Sequence, residues 1–518
     1  MKIARGAKTI STGLLAQSRS SKIKARIRRS FVVGFIGTLL LVFWLLYADN
    51  SNQIPVLPTV LSKDDIQGIF VRTTGPRVVI LIMSDKIDDT LCYSVGSAYL
   101  SGLPVVVAGY QMKYKGFLSK FDFMERAIKN AQMNPEDIAI LIDSDTVFTG
   151  ADIQAFLDSF IAQSAATPEE LDALSVRQGR AMAPIVALAE DCCWAPNLYF
   201  DHKDCAIGYE AVHKKVREHA AAHPENKLAL AFDQSPYRHS NMGIVIVRVW
   251  AYMEYLGKVK KLTEILKPTS RIERGWYCDQ SIFSRFYLDL LTWEVEQDVF
   301  SMPLHERQAA RSTYGIRAGF LGLDYANALS VVIALRYIHQ TEIHDELWAK
   351  YLPSDGLEHP HSHEIDGIDN VGLFVADLYK RAYVAHGTKI YTKLAVPKWI
   401  DGKRTSEKIF ISLTPPLFAS KLRPIDTFNN TTRHTFPVIL HASDLENGYT
   451  KVKKLEYASV GAPWFMPMVY DAEVLEQNEK RLESLPLFLS TDRNILQTSY
   501  HANCGFPFER IIKKVQNI

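Results

Sequence analysis

The sequence lacks a surplus of either charge, and it shows no internal repeats and no low-complexity tract. Lys and Arg number 59 and Asp and Glu number 57, so the net charge is only +2. Nucleic-acid-binding domains usually carry a strong basic excess, and this balance argues against nucleic acid as the main partner. Hydrophobic residues make up 47% of the 518 positions. That share is typical of a folded protein and excludes a largely disordered chain.

Acidic residues are absent from the first 48 positions, whereas basic residues recur from Lys2 to Arg29. An uncharged apolar run, Phe31 to Tyr47, follows directly. As a helix it would span about 26 Å, enough for a thin bilayer core. The positive-inside rule predicts a cytosolic tail over 1–30, a signal anchor over 31–48 and a lumenal remainder. We therefore expect a single-pass type II protein of the ER or Golgi membrane. A cleaved signal peptide is the alternative, and it predicts the same lumenal compartment.

Cysteine is scarce, and all six cysteines lie beyond the predicted anchor. Their spacing does not resemble a zinc site. In an oxidising lumen some of them should pair. Cys192 and Cys193 are neighbours, so either each bonds elsewhere or one stays free, and Cys205 is a candidate partner across a short loop.

Short apolar runs alternate with helical patterns from residue 78 onward. The predicted strands are Val78–Met83, Pro104–Ala108, Ile138–Ile142, Pro184–Ala189, Gly243–Val249 and Pro437–Leu440. The predicted helices are Asp88–Leu100, Gly116–Gln132, Ala151–Gln163, Thr167–Arg180 and Cys278–Leu291. Such alternation predicts an α/β fold with a doubly wound, Rossmann-like sheet. We expect a polar stem over 49–75, a core over 76–305, an insertion over 306–435 and a core-completing region over 436–518.

Asp143-Ser144-Asp145 stands at the end of the apolar run Ile138 to Ile142. Residues two apart in an extended chain project to the same side. Paired carboxylates bind hard divalent cations, and this edge of an open α/β sheet is where ligands bind. The motif thus predicts a cation that neutralises a diphosphate, although an acidic turn would look the same.

A phosphohydrolase is the first alternative, because Asp-x-Asp-x-Val after a strand also fits an aspartyl nucleophile motif. Asp143 would then attack phosphate, and Asp145 would be the acid and base. That chemistry also needs a later lysine and a late acidic pair, for which Asp366 and Asp369 are the loose candidates.

Four further motifs follow in order along the chain. They are Cys193-Trp194 after a strand, Asn241-Met242-Gly243 before a strand, Cys278-Asp279-Gln280 at a helix start, and His441 at the end of a late strand. Together with the acidic motif, this order resembles the glycosyltransferase domain of the procollagen galactosyl- and glucosyltransferases, including the domain linked to lysyl hydroxylases. The resemblance spans about 76–305 and resumes at 436–465. The chain also resembles membrane-anchored kinetoplastid proteins that carry this domain and are related to the expression-site-associated proteins.

The resemblance implies a GT-A fold, a UDP-sugar donor, a glycoprotein or glycan acceptor, and Mn²⁺ as cofactor. It assigns Asp143, Asp145 and His441 to the metal, and a carboxylate pair with an imidazole suits Mn²⁺ better than Ca²⁺. It assigns Asp279 to catalysis beside the transferred sugar. The residues predicted near the donor are Lys113, Lys115 and Ser84, with Trp194 and Asn241 in the walls of the sugar pocket.

The chain departs from the family pattern at two motifs. Only Ser144 separates the two carboxylates, where the family has two residues, and His441-Ala442-Ser443-Asp444 replaces His-Gly-Asn-Gly. No iron- and 2-oxoglutarate-dependent hydroxylase domain is recognisable. A second alternative is therefore a non-catalytic glycan-binding receptor on the same scaffold.

Overall fold

The computed structural model describes most of the chain between residues 58 and 516. The described residues are 58–69, 75–150, 153–177, 181–190, 193, 202–224, 232, 238–266, 278–325, 329–332, 342–343, 391–400, 403–412, 434–435, 438–442, 455–456, 459, 464–465, 468 and 471–516. The tail over 1–30, the anchor over 31–48, Trp194 and the Asp366/Asp369 pair lie outside them. Within these ranges, no helix combines the length and apolar character needed to cross a membrane.

The described elements alternate between strands and helices. The strands are β1 Thr59–Val60, β2 Val78–Met83, β3 Val105–Ala108, β4 Ile138–Asp143, β5 Thr146–Phe148, β6 Ile185–Glu190, β7 His239–Arg248, β8 Leu321–Asp324, β9 Ser330–Val332, β10 Glu342–Ile343, β11 Tyr391–Ile400, β12 Lys403–Ser412, β13 His434–Thr435, β14 Ile439–His441, β15 Pro486–Ser490 and β16 Ile495–Ser499. The α-helices are α1 Lys63–Ile69, α2 Asp89–Leu100, α3 Ser119–Asn130, α4 Gln154–Gln163, α5 Pro168–Ala173, α6 His202–Ala222, α7 Val249–Leu266, α8 Asp279–Glu296, α9 Leu304–Ala309, α10 Ala472–Glu483, α11 Tyr500–Cys504 and α12 Glu509–Gln516.

A large mixed sheet forms the centre, with the order β1-β16-β15-β3-β2-β4-β7-β6-β8 in the described part of the chain. The predicted α/β class is confirmed, and the large mixed sheet is consistent with a Rossmann-like fold. The strands β15, β3, β2, β4, β6 and β8 run in one direction, whereas β7 runs antiparallel between β4 and β6. The carboxyl ends of β4 and β6 and the start of β7 therefore meet at one edge of the sheet.

The central strands form because their side chains are apolar on both faces. β3 is buried throughout, and β4 is buried from Ile138 to Ile142. Strands covered by helices on both sides read as continuous apolar runs, which is why these strands could be predicted nearly to the residue. β2 matches its predicted bounds, Val78–Met83, without change.

Three helices are shorter than the sequence pattern predicts, and one of them, α4, begins at Gln154 rather than Ala151. α3 begins at Ser119 rather than Gly116, because Gly116 has a φ of +108° and Ser119 Oγ accepts the amide of Lys115. The predicted helix Thr167–Arg180 is confined to Pro168–Ala173. Arg177 instead lies buried against Glu294 and donates to the carbonyl of Leu321, so a tertiary ion pair overrides helix propensity.

The sheet also extends past the predicted core boundaries at both edges. β1, within the predicted stem, pairs with β16, but its two side chains are exposed and leave no apolar pattern. β8, within the predicted insertion, pairs with β6, and β15 joins the sheet beside β3. The predicted insertion contributes β10–β13, which form a sheet of four described strands.

Two disulfide bonds join described cysteines. Cys193 pairs with Cys205, as the sequence suggested, while Cys192 lies outside the described residues. Cys92 in α2 pairs with Cys504 in α11, and Tyr500 donates a hydrogen bond to the carbonyl of Cys92 at 2.7 Å. Cys278 forms no disulfide. The second bond fixes the carboxyl-terminal elements to the first helix after β2.

We expect the Cys92→Ser/Cys504→Ser double variant to lose about 2–5 kcal/mol of unfolding free energy, because the bond closes a loop of 412 residues. Thermal denaturation of the variant beside the wild type measures this loss as a fall of several degrees in Tm. An unchanged Tm would show that the packing of α11 alone holds the carboxyl terminus in place.

Candidate metal centre

Asp143 and Asp145 flank the turn that leaves the central sheet. Asp143 is the last residue of β4 and pairs in register with Met83 of β2. The hydroxyl of Thr146 donates to the carbonyl of Asp143 at 3.0 Å and closes the turn into β5. Ser94 in α2 lies 2.9 Å from the same hydroxyl, which links the turn to the helix layer. The Thr146 hydroxyl thus fixes the turn both to the end of β4 and to α2.

His441 reaches the carboxylates through a small sheet of order β5-β14-β9. β14 pairs antiparallel with β5, so that His441 lies opposite Thr146, and the amide of Ala442 donates to the carbonyl of Asp145 at 2.9 Å. The imidazole Nδ1 lies 3.5 Å from Asp145 Oδ1. One ligand atom from each of Asp143, Asp145 and His441 falls within 4.8 Å of the others, and these residues form a candidate metal-binding triad.

The ligand atoms of the triad and the distances between them fit a small divalent cation. Opposite ligands at about 2.1 Å from an octahedral ion are about 4.2 Å apart, so modest side-chain shifts would close the site. Two carboxylates and one imidazole suit ions such as Mn²⁺ that accept oxygen and nitrogen ligands. Asp145 and His441 are buried and Asp143 is partly exposed, which leaves one side open to a ligand.

Gly243 on β7 makes room for the imidazole. A Cβ at this position would lie 2.4 Å from Nε2 of His441 and within 2.8 Å of two ring carbons. The backbone of β7 therefore supports the imidazole face directly. The Asn241-Met242-Gly243 motif thus has a physical role at the site, since only glycine permits this contact.

We expect Gly243→Ala to displace the His441 ring and weaken divalent-cation binding about tenfold or more. The overpacking should also cost about 1–3 kcal/mol of stability. Gly257→Ala is the matched control, because a Cβ there meets nothing within 4 Å and lies within α7. Calorimetric titration with Mn²⁺ measures both variants, and equal affinities would contradict the proposed contact between Gly243 and a ligand.

Lys120 brings the catalytic candidate Asp279 into the same cluster. Its ammonium lies 2.7 Å from Asp143 Oδ2 and 3.1 Å from Asp279 Oδ2. Lys120 is in the first turn of α3 and is only 9% exposed, and Asp279, the first residue of α8, is 4% exposed. A single buried cation therefore joins a candidate metal ligand to the candidate catalytic carboxylate.

Burial and charge act against each other at this cluster. Burial raises the pKa of Asp143 to about 6; the Lys120 ammonium opposes this shift, whereas the Asp145 and Asp279 carboxylates add to it. Burial would lower the pKa of Lys120, but the carboxylates of Asp143 and Asp279 outweigh it and raise that pKa above its ordinary value. Lys120 thus stays protonated, and the cluster has an excess of negative charge.

Glu190 holds the start of α8 against the sheet edge. This buried carboxylate at the end of β6 accepts hydrogen bonds from Asn241 Nδ2 at 3.0 Å and from Gln280 Nε2 at 2.5 Å. The side-chain oxygen of Asn241 in turn accepts the amide of Gly243 at 2.7 Å. The Asn-x-Gly and Asp-Gln motifs are therefore joined through one acidic side chain, which orients Asp279 and the strand that supports His441.

The residues predicted near the donor lie along the same edge, one or two strands away. Lys113 and Lys115 line a cleft of about 620 Å³ between the loop after β3 and the turn after β15. Ser84, which follows β2, is buried and donates to the carbonyl of Lys86 at 2.6 Å. Neither lysine is part of the cluster around Asp143, where Lys120 lies instead. Their contact with a donor stays a prediction.

Lys120 and Glu190 are site residues that the sequence motifs did not reveal. The sequence does indicate that Lys120 is buried, because it lies on the same helical stripe as the buried Met124, Ala127 and Ala131. A lysine on an apolar stripe requires a buried partner. Glu190 ends an otherwise apolar strand and gave no comparable indication of its partners.

Neither protein-family models nor curated proteins provide a match to this chain.

Proposed function

We propose that the protein is a metal-dependent glycosyltransferase that uses a UDP-sugar. The observation that carries this proposal is the convergence of Asp143, Asp145 and His441 at the carboxyl edge of the sheet, with Asp279 joined to them through Lys120. Such an edge is where open α/β sheets bind ligands. The GT-A type of core, the Golgi or ER membrane and the procollagen-transferase kinship belong to the same proposal.

A bound Mn²⁺ would supply charge to the diphosphate of the donor as that group leaves. The triad would present the ion on its partly exposed side, at Asp143. Asp145 and His441 are buried and held by the β5–β14 pairing, so their positions need little reorganisation on binding. Pre-organisation of this kind is what electrostatic stabilisation of a leaving group requires.

Asp279 is our proposed catalytic residue. In an inverting transfer, its carboxylate would take the proton of the acceptor hydroxyl while the new bond forms from that oxygen to the sugar carbon. The bond from the sugar carbon to the UDP oxygen breaks, and UDP leaves with the electron pair. In a retaining transfer Asp279 would hold the sugar instead. Its fixed contacts with Lys120 suit either role.

The donor would extend from the triad toward the cleft lined by Lys113 and Lys115. Two strand spacings separate β4 from β3, or about 10 Å along the sheet edge. This span suits a nucleoside diphosphate. Tyr114 and Phe117, in the loop before α3, are 41% and 51% exposed, and rings so placed stack on sugars or bases. The acceptor is a glycoprotein or glycan in this proposal.

A thermal-shift screen of the full-length chain against nucleotide-sugars tests the proposal. We expect one UDP-sugar to raise Tm only in the presence of Mn²⁺, because a ligand at 100 times its Kd stabilises the native state by about 2.7 kcal/mol. Transfer of a labelled sugar from that donor to a glycan acceptor is the second measurement. No shift with any nucleotide-sugar and Mn²⁺ would overturn the proposal.

The two alternatives are distinguished by their own assays. Release of phosphate from a simple phosphoester, with no response to UDP-sugars, would indicate the phosphohydrolase. Carbohydrate binding without donor hydrolysis or transfer would indicate the glycan-binding receptor.

A further inference from the structure

The position of Lys120 is unusual because its buried ammonium is paired with Asp143, a carboxylate of the candidate triad. Its Nζ lies 2.7 Å from Asp143 Oδ2, a charge-assisted hydrogen bond of full strength. The same nitrogen lies 3.1 Å from Asp279 Oδ2. The ammonium therefore competes with any cation for one carboxylate while it binds a second carboxylate outside the triad.

We propose that Lys120 is a built-in counter-cation that lowers the affinity of the triad for a divalent ion and couples the metal site to Asp279. It is a positioning residue, since it acts through Asp143 and Asp279. This inference depends on the proposed function for its link to turnover, and on the triad alone for its effect on metal affinity.

The charges of the cluster support this role. Asp143, Asp145 and Asp279 contribute three negative charges, and all three interact electrostatically with Lys120 or with one another. With the one ammonium of Lys120, these four side chains keep two net negative charges, which one divalent ion neutralises. Without Lys120 the cluster has three net negative charges. Its attraction for a cation then increases, and so does the repulsion among the carboxylates.

A purely structural role predicts a different response. The Lys120 ammonium also lies 5.6 Å from the ring centroid of Phe117, and its side chain is buried, so a structural role would mean that its removal loosens the start of α3. Loosening would lower metal affinity and turnover together. A counter-cation predicts opposite changes, because the ion then gains Asp143 without competition while Asp279 loses the group that holds it.

Mn²⁺ titration of the full-length Lys120→Met variant tests the inference, with free Mn²⁺ followed by its electron spin resonance signal. We expect the variant to bind Mn²⁺ about tenfold tighter than the wild type, or more. Its Tm without metal should fall, and the rise in Tm on adding Mn²⁺ should be larger than in the wild type. Sugar transfer should fall at saturating Mn²⁺.

Two matched variants complete the design. Lys120→Arg keeps the charge on a planar fork, and its Mn²⁺ affinity should stay closer to that of the wild type than to that of Lys120→Met. Lys129→Met removes a lysine from the same helix whose side chain is 60% exposed and paired with Glu125, and it should change nothing. If Lys120→Met does not fold without metal, refolding in Mn²⁺ should rescue it.

Each result distinguishes this inference from the proposed function. Equal or weaker Mn²⁺ binding by Lys120→Met, or no rescue by Mn²⁺ of an unfolded variant, would overturn the inference and leave the transferase proposal in place. A wild-type protein that binds no divalent ion would overturn both. Tighter Mn²⁺ binding without any sugar transfer by the wild type would support the counter-cation and remove the transferase.

Discussion

Replacing Asp145 by Asn is expected to abolish Mn²⁺-dependent UDP binding, with a loss of about 100-fold or more in metal affinity. Residues that only hydrogen-bond to a metal ligand and orient it typically change metal affinity by about 10–100-fold when they are mutated. Loss of a ligand itself should lower the affinity by at least as much. The amide keeps the size of the side chain and removes its charge. Isothermal titration of UDP with and without Mn²⁺ measures the loss directly.

The fold should survive this change, which separates lost binding from unfolding. The hydrogen bond that joins the two strands at this point comes from the carbonyl of Asp145, and Ala442 donates to it whatever the side chain is. Removing one of several mutually repelling carboxylates should leave the Tm without metal equal to or above that of the wild type. The Tm with Mn²⁺ should no longer rise.

Asp122→Asn is the matched control for the loss of one negative charge. Asp122 is exposed in α3, pairs with Arg126 at 3.1 Å and lines the cleft beside Lys113 and Lys115, outside the triad, so this variant is a control for Mn²⁺ binding and not for UDP binding. Exposed pairs of this kind contribute little to stability, so the control should fold and bind Mn²⁺ like the wild type. Unchanged Mn²⁺-dependent UDP binding by Asp145→Asn would refute the metal site.

The sequence alone predicts the first half of the sheet well because local patterns determine it. β2, β3 and β4 are runs of apolar residues, and α2 begins after Asp88, whose side chain caps the helix by accepting the amide of Leu91. A strand that is buried on both faces is a continuous run of apolar residues, and such a run can be recognised in the sequence without knowing which strands pair with it. The acidic turn after β4 follows from the same reasoning.

The direction of β7 could not be predicted in this way. Alternation of strands and helices implies parallel strands only if each connection returns to the opposite edge of the sheet. Here the chain leaves β6 at the edge where β7 begins, so β7 runs antiparallel to both of its neighbours. The apolar run of β7 is the same in either direction, and the sequence contains no signal for the choice.

The assembly of the site depends on pairing between distant segments. About 300 residues separate Asp145 from His441, and the register of β14 on β5 brings them together. Spacing within the chain carries no information about such a register; the motif order that resembles a transferase supplied the expectation. For Lys120 the apolar helical stripe indicates only that a buried partner exists, and the spacing of residues does not identify the two carboxylates.

Asp279→Asn is expected to lower the rate of sugar transfer by about 10²–10⁴-fold while donor affinity persists. This range is the usual contribution of a general base, and an amide cannot take the acceptor proton at neutral pH. The triad keeps all of its ligands in this variant, so Mn²⁺ and UDP should still bind; the loss of one negative charge beside Lys120 should weaken Mn²⁺ binding by no more than about tenfold, and transfer is compared at saturating Mn²⁺. Steady-state transfer rates and calorimetry give the two quantities.

Glu296→Gln provides the control on the same helix. Its carboxylate lies at the other end of α8, is 53% exposed and pairs with Lys215 at 2.6 Å. Asp279→Asn also weakens the buried ion pair with Lys120, so its Tm should fall further than that of Glu296→Gln, whose pair is exposed. Transfer is therefore compared below both transitions, and only Asp279→Asn should lose it.

The pattern of kinetic change also distinguishes the two possible roles of Asp279. If the carboxylate is the base of an inverting reaction, kcat falls and the KM for the donor stays nearly constant. If it holds the sugar in a retaining reaction, the KM for the donor rises as well, since a ground-state contact is lost. Nuclear magnetic resonance of the first product anomer gives the stereochemistry independently. Normal turnover by Asp279→Asn would remove this residue from the mechanism, and Lys120 would then bridge the metal site to a carboxylate whose role is structural.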